Sequence, residues 1–304
     1  MDSVPIRLDV TGPDGRGGPW QLAGELYLPS GEQPDTVQVL LSGLTYDRRY
    51  WRVPGTSDYV RHMVDDGHAV LALDRIGTGH SGRPPADQVT VQANVDTLHE
   101  LVQALRAGIP GIRPFSQVIA VGHSLGTGIA IIGAAQYRDF NSLILTGLSH
   151  TLGPLYPDAV QSLQPAAGEP EGYLTTQPGK RSVIYEAEGG VDEPAAEYHE
   201  ATKSTVTIGE GATVDEIYRQ DYAAAVDVPV LLVVGAQDKL FVGAEKERDY
   251  YPGAPDVELF VVPDAAHSIN VHRSAHLWFA AASRQLAKWA AESPHTASPY
   301  TPSA

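Results

Sequence analysis

The 304-residue chain has no cysteine, which excludes disulfides, thiolate zinc sites and a cysteine nucleophile. Basic residues are scarce: 21 Lys and Arg stand against 37 Asp and Glu, a formal net charge of −16. Such a chain lacks the clustered positive surface that displaces counterions from nucleic-acid phosphates, and it is ill suited to anionic lipid. No window reaches about 18 uninterrupted apolar residues, the usual minimum for a membrane span. The start, Met1-Asp2-Ser3-Val4-Pro5-Ile6-Arg7, has no basic stretch leading into an apolar one and does not read as a secretory signal, so a cytoplasmic protein is expected. No His/Asp/Glu cluster shows metal-ligand spacing. Gly77-Thr78-Gly79-His80-Ser81-Gly82 lacks both the Walker lysine and the glycine spacing of a dinucleotide loop, so no cofactor is implied.

What is present is an ordinary globular composition, 42% hydrophobic and 19% charged, long enough for one large core with an insertion. Val4 to Val10 and Trp20 to Leu28 alternate apolar and polar residues around a Gly/Pro/Asp cluster, the pattern of an antiparallel hairpin. Short apolar runs follow at 37–41, 69–73, 118–121, 143–145, 230–234 and 257–262, separated by segments of helical spacing such as 91–106. Near-continuous apolar strands alternating with amphipathic helices predict an α/β architecture: about eight strands, mostly parallel, with helices on both faces. The rhythm breaks over 149–225, rich in Gly, Pro, Glu, Tyr and Thr. That segment is expected to be a mostly helical cap inserted over the sheet's carboxyl edge, which leaves 1–148 and 226–292 as the core. The Pro/Ser/Thr-rich residues 293–304 read as a disordered tail.

Gly122-His123-Ser124-Leu125-Gly126 directly follows one apolar strand and precedes an Ala/Ile/Gly-rich helix. G-x-S-x-G alone is weak, but between a strand and a helix it presents a serine hydroxyl at a strained turn. Backbone donors and the positive helix end there meet negative charge developing on a reacting carbonyl oxygen. A serine needs a base, and the base a partner to fix its tautomer. Among eleven histidines, His267 stands out, because it falls between the last strand and the last helix. His272 and His276 are expected to face solvent on or near that helix, and the His123 side chain to diverge from that of Ser124. Asp238 follows the strand 230–234 and is the favoured acid, with Asp264, three residues before His267, as competitor.

With these motifs and the order Ser, Asp, His, the chain resembles the α/β-hydrolase family, in the form that carries a helical cap. Leu73-Asp74-Arg75-Ile76-Gly77-Thr78-Gly79-His80-Ser81-Gly82-Arg83-Pro84 is similar to that family's loop after its fourth strand. The resemblance covers about 20–150 and 226–290. It implies a serine hydrolase acting on small or medium esters, lactones or thioesters through an acyl-enzyme on Ser124. It further implies oxyanion donors at the backbone amides of Leu44 and Leu125. The family usually has His-Gly in the first donor loop, whereas this chain has Ser42-Gly43. Tyr46, Tyr50 and Trp51 are candidate walls of a substrate pocket, and Tyr173, Lys180, Arg181 and Tyr185 are candidate contacts from the insert. Ser124 argues against dehalogenases and epoxide hydrolases, which resemble this chain but place aspartate at the elbow. Acyl transfer, cyclisation, elimination, lyase chemistry and a ligand-binding role with little turnover stay open. The expected partner is a small molecule.

Overall fold

A computed structural model describes residues 1–12, 19–55 and 57–292; the tail 293–304 lies outside the described residues. The hairpin forms as expected, with β1 (Asp2–Val10) antiparallel to β2 (Trp20–Leu28). The apolar runs become β3 (Thr36–Leu41), β4 (Ala69–Asp74), β5 (Gln117–His123), β6 (Ser142–Thr146), β10 (Val230–Gly235) and β11 (Val257–Val262). Together they build an eight-stranded sheet in the order β1-β2-β4-β3-β5-β6-β10-β11. From β4 to β11 every neighbouring pair is parallel. All six residues of β4 and of β10 are buried, the consequence of cover on both faces.

Helices α2 (Val91–Ala107) and α3 (Leu125–Tyr137) cover one face, and α1 (Tyr59–Asp65) and α9 (Ala275–Glu292) the other. Local chemistry sets their starts: the Thr90 hydroxyl accepts from Ala93 N–H at 3.0 Å, and the Asp58 carboxylate from Arg61 N–H at 2.9 Å. Between β6 and β10 the chain forms α4 (Tyr156–Gln161), α5 (Lys180–Tyr185), α6 (Glu193–Ala201), α7 (Ile208–Thr213) and α8 (Gln220–Ala224). It also forms an antiparallel sheet of β7 (Leu163–Pro165), β8 (Tyr173–Thr176) and β9 (Val206–Thr207). The reading as mostly helical misses this small sheet, because strands of two to four residues are too short to show a period.

Strand order reverses at β3, with β4 on one side and β5 on the other. The carboxyl ends of β3 and β5 therefore flank a switch point, where open α/β sheets bind ligands. Their register pairs Leu41 with Gly122, which brings the segments 42–44 and 123–125 together. Among the described residues no helix is long and apolar enough to cross a membrane.

Candidate active site

At the end of β5 the chain turns sharply at Ser124, whose φ of 52° and ψ of −117° lie outside the regions that L-residues ordinarily occupy. Hydrogen bonds hold this strain from three sides. Ser124 N–H donates to Thr146 O at 2.9 Å, and Ser124 O accepts from Thr127 N–H at 2.9 Å and Gly128 N–H at 3.2 Å. The flanking glycines are required by space. A Cβ on Gly122 would lie 2.5 Å from Thr127 Cα, and one on Gly126 would drive into the Leu41 carbonyl. The Ser124 side chain makes no capping bond to α3.

His267 is 2% exposed and its Nδ1 lies 3.0 Å from Asp238 Oδ2. The other carboxylate oxygen of Asp238 accepts from Leu240 N–H at 2.8 Å and Phe241 N–H at 3.2 Å, so the acid is anchored by its own loop. Nδ1–H donating to Asp238 leaves the Nε2 lone pair of His267 free to accept a proton. Asp264 sits exposed at φ 54°, and Asp238 is the carboxylate bonded to His267. His123 is fully buried between the Tyr50 ring, stacked at 4.4 Å, and the His267 ring at 4.9 Å. Burial, with His267 and His199 nearby, holds its imidazole well below the ordinary histidine range.

The loop after β3 has no histidine, and a different set of groups supports it. Ser42 Oγ–H donates to Asp47 O at 2.8 Å and accepts the Trp51 indole N–H at 3.1 Å. Arg75, 2% exposed at the end of β4, donates to Ser42 O at 2.9 Å and Gly43 O at 3.1 Å, and pairs with Glu210 of α7. Thr45 takes a φ of 59°, unusual for a β-branched residue. It is held by Ser204 N–H donating to its carbonyl at 2.8 Å and by Arg181, which donates to the same oxygen. The amide of Leu44 has no acceptor among the described residues, and Leu125 opens α3, where no earlier turn exists to pair its amide.

Ser124, His267, Leu44, Leu125 and Tyr46 all border one apolar cavity of about 160 Å³. Much of its wall comes from the segment between β6 and β10, including Val160, Leu163, Leu174, Tyr185, Ile217 and Tyr218. A larger cavity of about 470 Å³, lined by charged residues such as Arg48, Arg83, Glu169 and Lys203, includes neither Ser124 nor His267. Of the three aromatic residues proposed as walls, Tyr46 borders the small cavity. Tyr50 and Trp51 instead pack in the core behind it, one on His123 and the other on Ser42. Of the insert residues, Tyr185 reaches the cavity. Tyr173 is buried with its hydroxyl on Pro84 O at 2.6 Å, Arg181 is buried against Thr45, and Lys180 is exposed.

His276 is exposed as expected, but His272 is not; it is wholly buried. Its Nδ1–H donates to Ser268 O at 3.0 Å, and its Nε2 accepts from Ala187 N–H at 2.9 Å and Ala266 N–H at 3.2 Å. The final helix begins only at Ala275, so His272 belongs to the loop that carries His267. Sequence reading also passes over Arg75, whose position at the end of a fully buried strand was the available signal. It passes over Glu210 as well, although Thr207-Ile208-Gly209-Glu210 has the spacing of a capping box, which the structure contains.

The model of the alpha/beta hydrolase family matches residues 38–282, and the chain belongs to that family. It is similar to a thermophilic esterase from Thermogutta terrifontis, with 21% identity, TM-score 0.68, and cover of 93% of this chain and 99% of that one. It is also similar to the peroxisomal alpha-beta-hydrolase Lpx1 of Saccharomyces cerevisiae, at 15% identity, TM-score 0.64, and cover of 97% and 91%. Est1E from Butyrivibrio proteoclasticus, solved with ferulic acid, is 17% identical at TM-score 0.60, with cover of 94% and 99%. These likenesses concern the fold. Among curated proteins, a probable lysophospholipase of Arabidopsis thaliana, BODYGUARD 4, is 25% identical over 132 residues, 43% of this chain and 28% of that relative's length.

Proposed function

We propose that the protein is a serine hydrolase that cleaves small, uncharged esters through an acyl-enzyme on Ser124. The observation that carries this reading is the convergence, on one apolar cavity, of a strained serine and a histidine bonded to a buried carboxylate. Ser124 Oγ attacks the ester carbonyl while His267 Nε2 takes its proton, and Asp238 stabilises the imidazolium. The amides of Leu44 and Leu125 receive the oxyanion. The tetrahedral intermediate collapses as His267 returns the proton to the leaving alcohol, and water repeats the sequence to release the acid. Residues 149–225 serve as a cap over the core of 1–148 and 226–292, shaping the pocket and excluding bulk water.

The volume, about 160 Å³, bounds the substrate. An apolar cavity of roughly 150 Å³ takes a benzene-sized ligand, so the pocket suits a short alkyl or single-ring group. Among the described residues no Lys, Arg, Asp or Glu lines it, which favours a neutral group there. The test is a fluorophosphonate probe applied to the parent protein and to Ser124→Ala, read by intact mass and by the modified peptide. One adduct on Ser124 in the parent and none in the variant supports the reading. Absence of labelling together with no cleavage of p-nitrophenyl acetate or butyrate refutes it.

A further inference from the structure

Outside the serine, histidine and aspartate, the buried Tyr46 hydroxyl bridges side chains from two other segments. It lies 2.7 Å from His199 Nε2 and 2.5 Å from Ser268 Oγ, while His199 Nδ1 lies 2.6 Å from Glu186 Oε1. Tyr46, His199 and Ser268 are all nearly solvent-free. With Glu186 ionised, the directions follow: His199 Nδ1–H donates to Glu186, Tyr46 O–H donates to His199 Nε2, and Ser268 O–H donates to Tyr46. The Tyr46 hydroxyl then both donates and accepts, and both ring nitrogens of His199 are engaged.

The sequence positions of these groups give the arrangement its meaning. Tyr46 lies two residues after Leu44, Ser268 follows His267, and Glu186 and His199 belong to the insert. One phenol therefore joins the loop bearing an oxyanion donor, the loop bearing the base, and the segment above both. Two further ties link the same histidine loop to the same insert. Ser268 N–H donates to Tyr185 O at 2.9 Å, and His272 Nε2 accepts from both Ala187 and Ala266. The guanidinium of Arg181 lies over the Tyr46 ring at 4.2 Å and fixes the ring's plane.

We infer that Tyr46 is a positioning residue for the proposed hydrolysis, setting His267 against the oxyanion loop through Ser268, with Glu186 and His199 holding its hydroxyl in place. This rests on the serine-hydrolase reading. The insert thereby completes the alignment of the catalytic loops as well as walling the pocket. A displacement of about 1 Å in such a group is enough for a loss of order 10²-fold in rate.

Tyr46→Phe keeps the ring and deletes only the bridging oxygen. In the full-length protein, with p-nitrophenyl butyrate, the expected result is a kcat lowered about tenfold to a hundredfold with KM within threefold. The low-field proton resonance of the His267–Asp238 bond should broaden or shift. His199→Ala should behave alike. His199→Gln, whose carbonyl can accept from Tyr46 and whose amide can donate to Glu186, should recover most of the loss. A kcat for Tyr46→Phe within twofold of the parent overturns the inference, as does an unchanged His267 resonance. Failure of His199→Gln to exceed His199→Ala overturns it too, and that pair carries the test if Tyr46→Phe does not fold. A parent protein that neither takes up fluorophosphonate nor cleaves the ester removes the underlying reading, an outcome visible without any variant.

Discussion

Arg75→Met tests how the loop after β3 is supported. The substitution keeps a similar length of apolar chain and removes the guanidinium, which reaches Glu210, Ser42 O and Gly43 O in a site where both charged partners are about 2% exposed or less. Stranding one member of a buried pair costs about 3–5 kcal/mol. Glu210 keeps Thr207 N–H at 3.0 Å and Asn94 Nδ2–H at 3.1 Å, which places the charge term near the lower end. Two carbonyls lose a donor, although Gly43 O keeps the Tyr46 N–H at 3.3 Å, and together they add about 1–2 kcal/mol. The expected loss is about 3–5 kcal/mol, a large share of the roughly 5–15 kcal/mol a domain possesses. Urea unfolding followed by the fluorescence of the four tryptophans measures it. The double variant Arg75→Met/Glu210→Gln removes the stranded charge and should regain about 2 kcal/mol. It leaves the Ser42 and Gly43 carbonyls without the guanidinium, so fluorophosphonate labelling of Ser124 should stay about tenfold or more below the parent. A single-variant loss under about 1 kcal/mol, or a double variant with parental labelling, refutes the reasoning.

Three other perturbations follow from the structure. Gly126→Ala places a methyl against the Leu41 carbonyl and within 2.8 Å of Ser42 O, main-chain atoms that cannot yield, so a loss of about 3 kcal/mol or more is expected in a thermal melt. Gly211→Ala in α7, where an added methyl meets nothing within 4 Å, should be neutral or gain up to about 1 kcal/mol. Burial holds His123, His199 and His272 below the ordinary value of 6.5. The unfolded chain therefore binds more protons as pH falls below 6.5, and folding stability declines in that direction. Each histidine contributes a slope of at most about 1.4 kcal/mol per pH unit, measurable by urea titration at pH 7.5, 6.5 and 5.5. Equal stability at the three values would remove the argument that these imidazoles are held neutral.

The sequence by itself determined the strands of the core, because a strand covered on both faces must be apolar at nearly every position, and that is visible without knowing its neighbours. It also singled out Ser124, Asp238 and His267 as candidates, since each follows an apolar run at a turn and their chain order is a local fact. Tertiary structure alone decided which groups face one another. Tyr50 and Trp51 look like Tyr46 in the sequence, yet their rings turn to His123 and Ser42 while Tyr46 borders the cavity. His272 reads as a surface histidine until Ala187 and Ala266 are seen to donate to it. The support of Gly43 by Arg75, and of Ser268 by Tyr46, joins residues separated by 32 and 222 positions. Periodicity records whether a side chain is buried, which is a property of its own segment. The partner it meets depends on how distant segments pack, and that information is held only in the folded chain.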